Sequence, residues 1–403
     1  MLVALVLSAL APFFSASIGV GEATITPVAG EAGDWVRVAH VRVEGSWFEI
    51  GRELARLGSE RHGSRPAKVS DATRTREQRA YFAERYPAQL ERMRGVAAYF
   101  GTELEKDEYE LDSVSYSAAS AGCTVVFYPP ETTEVGRGVL SRNFDFTTGT
   151  MDRRLPKDGD PAACASPYVL ELHPTDALAS LALVAFDLLG VVDGINSAGL
   201  TVALLADDEL FATGQARPSG GARAGLDVLQ VGRFLLDTCK DVEEAKSALQ
   251  GLALYYTSIP CHYLIADAAG HAFIWENAAD LASGHVVAAE HGGPLVSTNY
   301  LRHLHPDGIG TADDPDPDGL FARERTLEER FEQQGKFSLD EIRANATCVA
   351  ACARPDPGSA PGRTLWRAFY FPSERRMEVD FYLGEGESGP RRSPSTPLSL
   401  EPR

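Results

Sequence analysis

The sequence predicts an α+β fold in which sheets are layered with helices. Two observations carry this: strand-like runs come in clusters, and amphipathic helical stretches lie between the clusters. The 403 residues suit two domains or one large layered domain. With 44% hydrophobic residues against 24% charged, the chain can bury a substantial core.

Taken in order, DWVRVAHVRVEG (34–45) alternates as a strand does, and SWFEIGRELARLGSERHG then shifts to helical periodicity. REQRAYFAERYPAQLERMRGVAAYFG continues as a long helix with a kink expected at Pro87, so the first 110 residues read as mostly helical. From Cys123 the texture changes. CTVVFY and GRGVLSRNFDF form a hairpin across the turn-rich PPETTEVG, and YVLELH, LALVAFDLLG and GLTVALLA follow as strands. Residues 225–252 read as an amphipathic helical stretch, and PCHYLIADAAGHAFIWE as a hairpin turning at DAAG. GPLVSTNY is a short strand, LFARERTLEERFEQQG a helix, and TLWRAFYFPSERRMEVDFYLG a closing hairpin. Residues 384–403, rich in Pro, Ser and Gly, read as a disordered tail.

Composition excludes some functions. The 38 basic residues against 57 acidic ones leave a net charge of -19, and no Lys/Arg cluster offers a footprint for nucleic acid. Residues 1–22 contain an apolar core of signal-peptide length without a preceding Lys or Arg. The segment points to export if it is a leader and to the cytoplasm otherwise. No other run is long and apolar enough to be an integral membrane span.

Most chemical motifs fall short. Ser197 in GINSAG lacks the spacing of a nucleophile elbow. Asp314, Asp316, Asp318 and Gly319 imitate the start of a calcium loop, but Arg325 stands where the bidentate Glu belongs. His303 and His305 lack a third metal ligand and read as surface-loop histidines; Cys348 and Cys352, at helical i, i+4 spacing, lack a second pair and read as ordinary packing. What remains is Cys123, with Arg142 and Asp145 beyond it across the predicted hairpin. A guanidinium brought back there favours a thiolate, and a carboxylate orients a neighbouring amine. Taken alone, the Cys is a small buried hydrophobe, and the Arg and Asp an exposed pair.

GSWFEIGRELARL, AGCT, SRNFDF, GINSAGLTVALLA, LVSTNY and TLWRAFYFP occur in the order seen in one set of N-terminal nucleophile (Ntn) hydrolases. From about Val36 to Leu383 the chain resembles the acyl-coenzyme A:6-aminopenicillanic acid acyltransferase family, and more distantly penicillin V acylases, bile salt hydrolases and acid ceramidase. The resemblance implies a four-layer αββα sandwich with two antiparallel sheets. It also implies self-cleavage between Gly122 and Cys123, giving a small subunit (23–122) and a catalytic part (123–383) that stay associated. Gly122 suits such a bond because glycine tolerates strained backbone.

By the same resemblance Cys123 is the nucleophile and its freed α-amine the base. Asp145 holds that amine, Arg142 stabilises the site, and Asn299 donates to the oxyanion. The backbone N–H at Ala206 is the second donor, and relatives often carry Asn or Tyr at that position. A late arginine, Arg363 with Arg367 as competitor, is the candidate for substrate binding. The implied reaction needs no metal or organic cofactor. It hydrolyses a linear amide of a small N-acyl compound, or alternatively moves an acyl group from a thioester to an amine. A non-catalytic scaffold, left uncut, is the alternative from another class.

Overall fold

The computed structural model describes residues 21–116, 122–150, 162, 164–212, 224–255, 260–277, 283–289, 292–305, 307–310, 321–352 and 359–400. The acidic run at Asp314–Gly319, most of the leader segment and the stretch just before Gly122 lie outside them.

The chain opens with β1 (Thr24–Ala29) and β2 (Val38–Gly45), then α1 (Trp47–His62), α2 (Ala72–Arg85) and α3 (Pro87–Tyr99). Ser46 starts α1 through a capping box: its side chain accepts from the Glu49 N–H while the Glu49 carboxylate accepts from the Ser46 N–H at 2.7 Å. Pro87 breaks the helix instead of bending it. It begins α3 at the first position, where a missing N–H costs nothing. Helices α1 and α3 cross closely through Gly51 and Gly95. A Cβ on Gly51 would lie 2.2 Å from the Arg92 carbonyl oxygen, and one on Gly95 2.0 Å from that of Phe48.

Next come β3 (Gly122–Tyr128), β4 (Val139–Thr147), β5 (Tyr168–Pro174), β6 (Ser180–Val184), β7 (Asp193–Asn196), β8 (Thr201–Ala206) and the short α4 (Asp208–Ala212). β9 (Leu226–Asp227), α5 (Val228–Thr238), α6 (Val242–Gln250) and β10 (Leu254–Tyr255) precede β11 (Cys261–Ala266), β12 (Ala272–Asn277), β13 (Gly284–Val287) and β14 (Leu295–Ser297). The end comprises α7 (Ala322–Phe331), α8 (Leu339–Cys348), β15 (Gly362–Phe371), β16 (Arg376–Gly386), β17 (Gly389–Arg392) and β18 (Thr396–Ser399).

Two large sheets face each other. One has nine strands in the order β1-β2-β5-β6-β7-β8-β11-β12-β13; the other runs β14-β3-β4-β15-β16-β17, with β18 also on β16. Leu170, Val202 and Tyr263 of the first sheet bury one face against Leu54, Val96 and Leu235 of α1, α3 and α5. Its other face meets the second sheet through Leu181, Ala203 and Leu264 against Val125, Phe144 and Trp366. The far side of the second sheet packs Val126, Val139 and Phe369 on Leu327 of α7 and Ile342 of α8. These layers make an αββα sandwich.

Four expectations need correction. The nine-stranded sheet is mixed, because β2 runs parallel to β5, from Ala39 opposite Tyr168 to Gly45 opposite Pro174. The first segment is therefore not a helical appendage: it supplies two strands to a sheet whose other members lie beyond Cys123. The disordered tail is also overturned, since β17 and β18 pair with β16. Pro397 is tolerated there because it sits on an outer strand, opposite Glu378. Finally, α8 ends at Cys348, so Cys352 does not share a helix face with it.

Candidate active site

Cys123 is the second residue of β3, opposite Phe144, and Gly122 lies opposite Asp145. Alternation along the strand sends the Cys123 side chain inward with Val125, among the residues between the sheets. The thiol is fully buried. Burial raises its pKa above the usual value, and the Arg142 guanidinium beside it pulls the other way.

Arg142, opposite Val125 on β4, points to the same inner face. It stays charged because polar groups surround it. Nη1 donates to the Asn143 carbonyl and Nη2 to the Leu204 carbonyl, each at 2.9 Å, and Nε lies 3.4 Å from Asp193 Oδ2. Trp366 and Tyr370 also donate to the Asp193 carboxylate.

Asp145 faces the opposite way, toward the outer helices. Its Oδ1 accepts from Thr364 Oγ1 at 2.5 Å and its Oδ2 from Arg323 Nη1 at 3.1 Å. Burial raises the carboxyl pKa, while Arg323, Thr364 and Arg142 act to lower it. A bulge in β15 between Thr364 and Trp366 aims this pair of residues. Thr364 faces Asp145, and Trp366 returns to the inter-sheet core against Phe144.

Asn299, just past β14, completes the cluster. The Cys123 N–H donates to Asn299 Oδ1 at 2.6 Å, and Asn299 Nδ2 donates to the Ala206 carbonyl at 2.8 Å. Ala206 is the last residue of β8, so this bond joins the two sheets at Cys123. The bond engages the Ala206 carbonyl, whereas the sequence argument concerned its N–H. The two groups of one strand residue point to the same side of the strand, so the Ala206 N–H lies along the same strand edge as its carbonyl. Nδ2 keeps a second N–H that has no partner among the described residues.

The late arginine at Cys123 is Arg323, which sequence reasoning missed. From α7 its Nη1 donates to the Cys123 carbonyl at 2.7 Å and to Thr124 Oγ1 at 3.1 Å, and its Nη2 donates to Asn299 Oδ1 at 2.7 Å. Arg363 instead bonds Glu385 and the Gly362 carbonyl, and Arg367 bonds Asp380. The signal available in the sequence was an arginine opening a helix shortly after STNY; the polar run ARERTLEER around it gave no reason to prefer it.

His303 and His305 lie nearby but pair with Glu276 and Glu209. No cluster of three metal-ligating side chains occurs among the described residues.

Two sheets face to face between helical layers define an αββα sandwich, with a buried Cys near the start of an inner strand and its backbone nitrogen bonded to an Asn. The chain belongs to the acyl-coenzyme A:6-aminopenicillanic acid acyl-transferase family, whose model matches residues 132–381. That span includes Arg142, Asp145, Ala206, Asn299 and Arg323 and begins after Cys123. The family is described as one of acyl-transferring enzymes.

Among solved structures, a variant of the conjugated bile acid hydrolase from Clostridium perfringens is 15% identical, covering 70% of this chain and 97% of that one, with a TM-score of 0.45. The Caenorhabditis elegans ortholog of N-acylethanolamine-hydrolyzing acid amidase is 16% identical (62% and 93% covered, TM-score 0.37). Penicillin V acylase from Agrobacterium tumefaciens is 14% identical (67% and 84% covered, TM-score 0.34). No curated protein matches the sequence.

Proposed function

We propose that this protein is a self-processing amidohydrolase that severs its own Gly122–Cys123 bond and then uses Cys123 to take the acyl group from a linear amide. The observation that carries this reading is that site side chains hold the backbone of Cys123 as well as surrounding its thiol. Its nitrogen is bonded to Asn299 and its carbonyl to Arg323. In a cysteine buried only for packing the strand ladder can supply both partners; here side chains from two distant segments supply them.

In the uncut chain the Cys123 thiol attacks the Gly122 carbonyl carbon. A C–S bond forms, the C–N bond breaks, and the thiol proton passes to the departing nitrogen. Water then hydrolyses the thioester, leaving the Gly122 carboxylate and a free thiol on an N-terminal residue. The new α-amine has a reference pKa of roughly 7.7–8.0, so near neutrality a useful fraction accepts the thiol proton. The thiolate attacks the substrate carbonyl. The second N–H of Asn299 and the Ala206 N–H stabilise the resulting oxyanion, and the amine protonates the leaving nitrogen. Water resolves the acyl-enzyme. Asp145 and Arg323 keep the nucleophilic residue in place, while Arg142 offsets negative charge on sulfur. Residues 21–116 remain bound after cleavage because β1 and β2 complete the nine-stranded sheet.

The family description favours a second reading, in which an amine replaces water and a thioester supplies the acyl group. Two experiments test these ideas. Denaturing electrophoresis with N-terminal sequencing should find a large fragment beginning Cys-Thr-Val-Val, absent in Cys123→Ala; a full-length chain in active preparations overturns self-processing. Turnover of an amide alone, against turnover of a thioester plus amine, separates hydrolase from acyltransferase.

A further inference from the structure

Asp207, His262 and Ser297 form a buried chain that the proposed reaction does not use. The Asp207 carboxylate bonds His262 Nδ1, and His262 Nε2 lies 3.0 Å from Ser297 Oγ. The three residues are 1%, 0% and 4% exposed. Their placement in the fold is what gives them meaning. Asp207 directly follows Ala206 at the end of β8. His262 sits opposite Leu205 on β11, and Ser297 ends β14, opposite Val125 and two residues before Asn299. β8 and β11 belong to the nine-stranded sheet and β14 to the other. The imidazole therefore spans the space between the sheets at the level of Cys123.

β14 needs such a tie. It is three residues long and among the described residues its ladder joins it to β3 alone, so the segment that carries Asn299 has strand bonds on one side only, besides the bonds Asn299 itself makes. Burial opposes a charged imidazole, but the Asp207 carboxylate outweighs it and the His262 pKa is raised. Among the described residues Asp207 Oδ2 has no hydrogen-bond partner, and the imidazole is the main group offsetting this buried carboxylate.

We infer that Asp207, His262 and Ser297 are positioning residues for the oxyanion hole, fixing the distance between Ala206 on one sheet and Asn299 on the other. The inference rests on the Cys123 reading proposed above. An oxyanion donor acts through its placement, and loss of one whole donor lowers rates on the order of 100- to 1000-fold. A displaced donor should lower them by about 10-fold.

The test compares two reactions of Cys123 in the purified, processed protein. Acylation by p-nitrophenyl acetate passes through an oxyanion, whereas alkylation by iodoacetamide does not. Ser297→Ala should slow acylation by about 10-fold, leave alkylation unchanged, and leave the fragments processed. Ser297→Thr, which keeps the hydroxyl, should restore acylation. His262→Gln should repeat the Ser297→Ala effect; because it leaves Asp207 without its imidazole, the Ser297 pair decides the matter should that variant not fold. Equal slowing of both reactions, or no slowing of either, in Ser297→Ala overturns the positioning role. A wild-type Cys123 that neither reagent labels overturns the functional reading itself, and with it this inference.

Discussion

Arg323 Nη2 donates to Asn299 Oδ1 at 2.7 Å, and its Nη1 reaches the Cys123 carbonyl and the Asp145 carboxylate. One guanidinium on α7 thus binds strand, amide and acid together. Lysine carries the charge but cannot span three acceptors in different directions. Arg323→Lys should fold, process slowly, and lose kcat on the order of 100-fold. Single-turnover acylation measured beside a thermal melt checks this; full activity in the Lys variant would remove Arg323 from the site.

Asp145 lies between burial, which raises its pKa, and partners that lower it, Thr364 among them. Thr364→Val removes the 2.5 Å bond to Oδ1. The carboxyl pKa should rise further, so that more acid is protonated at a given pH. The acid limb of the rate profile should therefore move to higher pH. A pH–rate profile of the variant against wild type measures the displacement, and an unmoved acid limb counts against the ionised form of Asp145 being required.

Gly122 was expected to supply backbone freedom. In the structure it is a regular strand position opposite Asp145, and an added Cβ would meet nothing closer than 3.6 Å among the described residues. Gly122→Ala should fold and still cleave, within about 10-fold of the wild-type processing rate. A time course of fragment appearance decides it. Complete loss of cleavage would restore the steric argument.

Glu171 on β5 bonds His173, His40 and Arg42, the last two on β2. Burial opposes its ionisation, but these partners prevail and bring its pKa down to about 2. A depressed carboxyl pKa stabilises the fold above the unfolded value near 4.5, and that contribution is lost as pH falls toward 2. After allowance for solvent around Arg42 and His40, it amounts to about 1–3 kcal/mol. Glu171→Gln should lose this stability at pH 7 and show a flatter decline between pH 4.5 and 2, as read by denaturant melts.

Asp237 on α5 pairs with Arg92 of α3 at 2.7 Å and accepts from Tyr86 at 2.5 Å, all fully buried. Asp237→Leu strands a buried guanidinium and should cost about 3–5 kcal/mol. In a cleaved preparation the fragment containing Arg92 should separate at lower denaturant, as size-exclusion chromatography would show. Unchanged separation would mean that this pair does not hold the layers together.

The sequence made the hairpins of the catalytic part legible because Val, Leu and Phe alternate there between clear turns, as in CTVVFY against VLSRNFDF. β1 was missed because TITPVA is short, exposed and interrupted by Pro27. The tail was misread because Pro and Ser signal disorder only where no strand edge waits to receive them; β16 offers one. In the candidate site, Cys123, Arg142, Asp145 and Asn299 could be named because each lies in a recognisable segment. Arg323 could not, because what singles it out is the helix that carries it back to β3. The Asp207–His262–Ser297 chain was equally invisible: its members are 35 and 55 residues apart and meet only across the space between sheets.

The groups that touch the Cys123 backbone, the Asp145 carboxylate beside them and the Thr364 hydroxyl that holds it come from four separate places in the chain. Positions 145, 299, 323 and 364 must all be present before the arrangement exists. A protein is synthesised from its N-terminus, so a growing chain displays Cys123 long before it possesses the residues that surround it. During translation the thiol is an ordinary side chain, and its special setting arrives only when the last strands emerge and fold. The order of residues along the chain thus acts as a clock, withholding the chemistry of the site until almost the whole molecule has been made.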